Sequence, residues 1–449
     1  MIQTQSQQEL ELRVPTSFPA QKGLLLRVIS TTEGFDSLVP VWRALHDEAG
    51  VSVFQSFEWL RAWWRQFGES NRSAALHILV CASADETIGI APFFVEKVTL
   101  LGIPVFRRLA FLGRETTDYL DVLVKKDWER PCAESIARHC AENQSLFEIV
   151  QLEDSPDRSG VHRLLFEALG AAGFHGRRFI NDACPRTVLR STWESTLESF
   201  SGNHRRQLNK RRRQLTEKHA VAFELGTPET VTEDLKEFVD MHQRRWKSVG
   251  QKGLFADWRA VRFQEEVSSS FARRGWLVFA FLRVDGKRVA VNYSFHFRDE
   301  LSYYLNGVGE AGDAVKYSPG LVLHAYCMEE MIRRGVRVYD FLRGTERYKY
   351  ELGAADVPNW SMIMFSDSAR LIGPRFRVAV LSRSLVRRLV REWTVWNHHR
   401  REHGLLSRGL LQYSKKSAVR VFTDGVRKAQ APDTPVSLEE RSSDASQTE

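Results

Sequence analysis

The stretch LSYYLNGVGEAGDAVKYSPGLVLHAYCMEEMIRRGVRVYDFLRGTERYKYELG, residues 301–353, decides the fold. Leu301 to Asn306 is rich in β-formers and predicts a strand. A glycine-rich loop, Gly307 to Gly312, follows it. Ser318 occupies an N-cap position and Pro319 the first helical one. Leu321, Leu323, Ala325, Met328, Met331 and Ile332 then give a helix with a broad apolar face, and Gly335 stops it. Val336 to Leu342 predicts a second strand, ended by Gly344. Strand, loop, helix and strand in this order predict two parallel neighbouring strands joined by a crossover. The loop and helix N-terminus between them form a ready anion site.

Outward from this unit, 449 residues are enough for two or three domains. Twelve tryptophans and 27 phenylalanines supply ample core. The net charge of +8 favours anionic partners without choosing among nucleotides, nucleic acid and acidic lipid. The five cysteines are scattered and lack metal spacing, which argues against a disulfide framework and against zinc. The polar start, MIQTQSQQELELR, does not read as a signal segment, and no apolar run reaches membrane-spanning length. A cytoplasmic location is the expectation.

In chain order, residues 1–22 read as a disordered leader. Leu24–Ile29 is a strand, with helices at Phe35–Glu48 and Ser56–Phe67. Strands Leu76–Ala82 and Thr87–Val95 flank a hairpin, and Tyr119–Val124 is another strand. A helix at Trp128–Asn143, a strand at Phe147–Leu152 and a helix at Val161–Ala172 follow, with Arg186–Arg190 closing the sheet. The second half repeats the order: strand Val221–Leu225, helices Glu233–Val249 and Ala256–Arg274, a hairpin of Trp276–Val284 and Arg288–Phe297, the crossover above, and strand Trp360–Phe365. The expected division is an N-terminal domain at 23–192, a basic linker helix at 193–218, a C-terminal domain at 219–369, a basic amphipathic extension at 370–428 and a disordered tail at 429–449. The fold class is α/β, as two mixed domains with antiparallel hairpins and one parallel crossover each.

The order of short motifs in the second half resembles the GNAT acyltransferase fold. The carriers are Asn203-His204-Arg205-Arg206-Gln207-Leu208 with Arg212, His242 with Arg245-Trp246, and Gly253-Leu254-Phe255. Asp285-Gly286, Tyr303-Tyr304-Leu305, Ser318-Pro319-Gly320, Tyr339 to Gly344 and Tyr348-Lys349 complete the series. They look like the CelD/BcsL branch, related to the FemAB peptidyl-transferases. Phe57-Trp59, Trp63-Trp64, Pro92-Phe93 and Asp118-Tyr119 extend the likeness to residues 24–365. The resemblance implies tandem GNAT-like domains and transfer of an acyl group, with links to exopolysaccharide or cellulose production. Acyl-CoA, such as acetyl-CoA, is the implied donor, with no metal. The usual pyrophosphate-loop signature is absent, and Lys316-Tyr317-Ser318-Pro319-Gly320 stands in its place.

Acyl transfer needs a held donor, a proton acceptor for the nucleophile and a stabilised leaving group. Lys316, Ser318 and Gly320 are the candidates to hold donor phosphate, or form a plain N-cap beside a surface lysine. Asp340, flanked by apolar residues, is a general base or a paired structural carboxylate. Tyr348 falls where GNAT enzymes often place a tyrosine that protonates the leaving thiolate, with Tyr350 as the alternative, or it is an amphipathic tyrosine that packs its ring. Asn292, Ser294 and His296 share one strand face, which suits an acceptor groove or a solvated surface; His296 is a candidate base. Arg245 and Trp246 read as an acceptor rim or as ordinary packing, and Arg343 and Lys349 as acceptor contacts. The Arg205–Arg213 run, with Arg205 and Arg206 foremost, reads as a solvated helix or as a phosphate or tRNA contact. The stripe Leu381, Leu385, Leu389, Trp393, Trp396 with its arginines reads as an interfacial helix for a membrane surface, or equally as one that docks on the main body or on a partner such as a biosynthetic complex.

The sequence therefore points to a cytoplasmic acyltransferase, peripheral at the inner membrane face, that moves an acyl group from acyl-CoA to a sugar or envelope precursor. FemAB-like transfer from aminoacyl-tRNA and a non-catalytic scaffold are the alternatives. No base-reading motif stands out, so sequence-specific nucleic-acid binding is not expected.

Overall fold

The computed structural model describes residues 18–19, 24–84, 86–100, 103–248 and 250–366. The basic extension and the tail lie outside them, as does the leader except for Phe18–Pro19, which pair with Leu25–Leu26.

The first half carries β1 (Phe18–Pro19), β2 (Leu24–Ile29), α1 (Thr32–Ser37), α2 (Val39–Glu48), α3 (Phe57–Trp63), β3 (Ala74–Leu76), β4 (Ile78–Ser83), β5 (Glu86–Ala91), β6 (Phe93–Leu100), β7 (Ile103–Phe111), β8 (Leu123–Val124), α4 (Glu129–Glu142), β9 (Ile149–Ser155), α5 (Val161–Ala171) and β10 (His175–Val188). Two helices, α6 (Trp193–Glu198) and α7 (Gly202–Lys218), replace the single expected linker helix. The break falls where the Ser201 hydroxyl accepts the His204 N–H at 3.3 Å and starts a new helix. The second half carries β11 (Val221–Leu225), α8 (Val231–Ser248), α9 (Trp258–Arg273), β12 (Leu277–Val284), β13 (Lys287–Phe297), β14 (Glu300–Val308), α10 (Pro319–Arg333), β15 (Val338–Asp340), α11 (Arg347–Glu351) and β16 (Ala355–Phe365).

Both halves contain the expected parallel crossover. β14 pairs parallel to β15 through α10, and β7 pairs parallel to β9 through α4. The strands nonetheless form one continuous eleven-stranded sheet, ordered β11-β12-β13-β14-β15-β10-β16-β9-β7-β6-β3, beside a five-stranded sheet, β1-β2-β4-β5-β8. Each half gives its last strand to the other. β10 pairs with β15 of the second half, β16 pairs with β9 of the first, and the two pair with each other from His175↔Phe365 to Arg186↔Ala355.

The core also crosses between the halves. Trp59 of α3 is fully buried against Phe263, Phe295 and Tyr304, in edge-to-face contacts with centroids 4.9, 5.5 and 5.4 Å away. Such ring pairs add about 0.5–1.5 kcal/mol each beyond area burial. The Trp59 indole N–H is satisfied by the Thr117 hydroxyl at 2.8 Å.

Candidate active site

The quoted stretch builds the site. β14 and β15 pair only at Glu300↔Val338, Leu301↔Tyr339 and Ser302↔Asp340, then separate. Just beyond, β14 bulges: Tyr293 opposes Leu305 but Ser294 opposes Tyr303, so Tyr304 is the extra residue. After β15 the chain turns at Leu342, with φ at 56°, and follows β10 through the bond from the Phe341 N–H to the Pro185 carbonyl. Gly307 allows α8 to cross the departing strand, because a Cβ there would lie 2.7 Å from Met241 Cβ.

The parting strands open a cavity of about 330 Å³. Tyr303, Tyr304, Asn306, Phe341, Arg343, Glu346, Tyr348 and Lys349 line it from the second half. Phe67, Glu115, Thr116 and Asp118 line it from the first. A π-helical turn, Trp64–Gly68, carries Phe67.

Tyr348 stands in the cavity wall. Burial pushes its phenol up to about 12, so it keeps its proton at neutral pH, and its hydroxyl bonds that of Tyr303. Its ring stacks on His324 at 5.5 Å. His324 Nδ1 lies 2.8 Å from the Tyr339 hydroxyl and 3.3 Å from the Asn292 amide nitrogen. Burial lowers His324 to about 3, which keeps the ring neutral.

Arg343 and Lys349 line the cavity but are occupied. The Arg343 guanidinium donates to Asp118 Oδ1 at 2.5 Å and the Thr117 carbonyl at 3.2 Å, and pairs with Asp154 at 3.0 Å. The buried Lys349 ammonium donates to the carbonyls of Arg343 at 2.8 Å and Gly344 at 3.0 Å and pairs with Glu346 at 2.9 Å. These cations fix the loop after β15. Arg245 reaches the mouth, donating to Asn306 Oδ1 at 3.0 Å, and the Trp246 indole donates to His242 Nε2 at 3.0 Å.

The other sequence candidates lie elsewhere. Asp340 does not line the cavity: it is fully buried, accepts from the Tyr119 hydroxyl at 2.9 Å and the Leu342 N–H at 2.8 Å, and pairs with Arg186 at 2.7 Å. Burial raises its carboxyl and Arg186 opposes that shift. His296 sits at the far end of β13, opposite Leu301, with Nε2 2.9 Å from the Arg298 carbonyl. The face it was expected to share is neither groove nor solvent, since Asn292 and Ser294 are buried on the side of α10. Ser318 does cap α10, but with φ at 54° and no side-chain bond, while Lys316 is exposed and pairs with Asp313 at 3.2 Å. A Cβ at Gly320 would meet open space.

Helix α7 runs antiparallel to α10. Arg212 lies 4.1 Å over the Tyr326 ring, and His219 lies 6.0 Å from Tyr317. The 14 residues from Arg205 to His219 span about 21 Å of helix, so Arg205 and Arg206 are far from Lys316–Gly320. Sequence reasoning missed Asp118, Glu115, Tyr303 and Phe67 as cavity residues. Asp118-Tyr119 and Tyr303-Tyr304-Leu305 enter the sequence reading only as carriers of the resemblance.

Among the described residues, no group of three or more His, Cys, Asp or Glu side chains could hold a metal ion. No helix there is long and apolar enough to cross a membrane.

Comparison with known proteins bears on the same region. A family model described as "Acetyltransferase (GNAT) domain" matches residues 202–350. No curated protein matches the sequence. Among solved structures, FemX is similar at 10% identity and a TM-score of 0.53, over 75% of this chain and 96% of that one. The L-PGS structure from Bacillus licheniformis shares 15% identity at a TM-score of 0.45, over 76% and 95% of the two chains. A tandem GNAT protein from the clavulanic acid biosynthesis pathway shares 11% at 0.39, over 76% and 98%. At these identities the likeness is one of fold. With the repeated parallel crossover, this chain has a tandem GNAT-like α/β fold, and its residues 202–350 match the acetyltransferase (GNAT) domain model.

Proposed function

We propose that this chain is an acyltransferase that moves an acyl group, such as acetyl, from acyl-CoA to an amine or hydroxyl of a sugar or cell-envelope precursor. The observation that carries this is the cavity where β14 and β15 part, with the neutral phenol of Tyr348 in its wall. The acyl carbonyl would enter between the strands, and the acceptor would attack it. Tyr348 would give its proton to the departing thiolate. The acceptor's proton would pass to a wall carboxylate, and Glu115, Asp118 and Glu346 are the ones present. Donor phosphates would meet the α10 N-terminus at the Ser318 hydroxyl and the Gly320 N–H, since the Ser318 N–H is given to the Val315 carbonyl. Exopolysaccharide or cellulose production, at the cytoplasmic side, is the setting this reading favours.

A second reading has one observation behind it. Arg205, Arg206 and Lys210 of α7 have no carboxylate partner among the described residues, and with Arg213 they give the helix a polyanion-facing side. That suits an aminoacyl-tRNA donor. Calorimetric titration with acetyl-CoA, and separately with charged tRNA, separates the two. Micromolar binding of the CoA ester supports the first. Salt-sensitive tRNA binding with no CoA binding replaces it with the second. Silence with both removes the enzymatic reading in favour of a scaffold.

A further inference from the structure

The sequence RRWKSVGQKGLFADWRAVR, residues 244–262, joins α8 to α9 beside the cavity mouth. It holds six cations and a single acid, Asp257, which is committed to Arg259 at 2.7 Å. Lys247 and Lys252 are exposed and have no carboxylate partner among the described residues. Trp246, Leu254 and Trp258 are 36%, 39% and 68% exposed. No other tryptophan among the described residues is as exposed.

Three contacts tie this segment to the cavity. Leu254 is part of its lining. Arg245 bonds Asn306 in its wall. The Arg259 guanidinium lies 5.6 Å from the ring of Phe67, another wall residue. The apolar and cationic groups therefore rim the mouth through which an acceptor would arrive.

Exposed tryptophan and leucine interleaved with lysine and arginine match the two layers of a bilayer surface. Indole rings settle at the level of the headgroups, and cations meet the phosphates outside them. A soluble anion would use the cations and leave the indoles in water.

We propose that the 244–262 rim docks the protein on an anionic lipid bilayer, with Trp258 and Leu254 entering the headgroup layer and Lys247 and Lys252 pairing with lipid phosphate. The docking stands apart from the transfer reaction. Its consequence, that the acceptor is presented from the membrane into the cavity, rests on the function proposed above.

The full chain would be sedimented with phosphatidylcholine vesicles containing, or lacking, about one-third phosphatidylglycerol. Binding to the anionic vesicles alone is expected, with a loss of about fivefold for each of Lys247→Gln and Lys252→Gln. Vesicles brominated in the acyl chains should quench tryptophan fluorescence, and Trp258→Phe should keep binding while losing most of that quenching. Three results would overturn the proposal. One is absence of binding to anionic vesicles. Another is binding indifferent to both lysine substitutions, including binding that vanishes only when the residues after Ala369 are removed. The third is undiminished quenching in Trp258→Phe. None of these readouts involves the donor, so they fail separately from the transfer reaction.

Discussion

Replacing Asp340 with asparagine separates two roles that the sequence left open. The substitution keeps shape and removes charge. In the structure it strips the anion from a fully buried cluster in which Arg186 lies 2.7 Å away and is itself only 17% exposed. The Tyr119 and Leu342 donors can still bond the asparagine carbonyl, but the guanidinium loses its nearest counter-charge; Glu300 remains a weaker one. Breaking a buried pair from one side costs about 3–5 kcal/mol. Set against about 5–15 kcal/mol for a whole fold, that is a large fraction. Urea unfolding followed by circular dichroism should show the loss as a lower midpoint. Arg186→Gln in the same chain should restore part of it, because the double substitution leaves no uncompensated charge. Turnover per folded molecule should change little, since Asp340 does not line the cavity. Unchanged stability with abolished turnover would refute this reasoning and return Asp340 to the role of general base.

Other expectations follow from the same geometry. Tyr348→Phe should lower kcat for acyl-CoA by about a hundredfold or more with little change in donor KM, as loss of a general acid does; thiol release monitored by a colorimetric reagent reads this directly, and a full-rate variant shifts the role to Tyr350 or water. Asp121, buried with Asp157 nearby, is raised to about 7 chiefly by burial. A carboxyl raised in the folded state contributes stability that is complete below its ordinary value near 4 and is lost as pH rises to about 7, by up to about 4 kcal/mol. Asp121→Asn should therefore gain stability relative to wild type at pH 8 and not at pH 4, and equal urea midpoint shifts at both would contradict the sign. A fragment of residues 219–366 should fail to unfold cooperatively, since β15 lacks β10 and β16 lacks both neighbours; a sharp thermal transition with near-UV dichroism would show the opposite.

The crossover at 301–353 was legible because each element carries its own local signal: β-formers, a proline at the first helical position, and Gly335 at positive φ after the last turn. Two inner strands were not, apart from the end of β10, read as Arg186–Arg190. β10, HGRRFINDACPRTV, is polar and holds Pro185, so neither alternation nor apolar run marks it. β7, IPVFRRLAF, puts two arginines in mid-strand, and Arg108 is buried there by Glu96 and Gln151. Ion pairing lets a buried strand look like a surface one. Pro92 splits an expected strand into β5 and β6, which enter different sheets. In the site, Tyr348 could be found by its place after the second strand. Asp340 kept two open roles because its partner Tyr119 is 221 residues away, a contact that no local pattern announces.

The exchange of last strands also bears on how the chain is made. Residues 355–365 are the partner on which β9 closes, so the first half emerges from the ribosome with an open edge and keeps it until nearly all of the second half has followed. An open strand edge invites pairing with other chains. The first half is thus exposed to misassociation while the second half is made, and a recombination event that delivered either half alone would deliver an unfinished sheet.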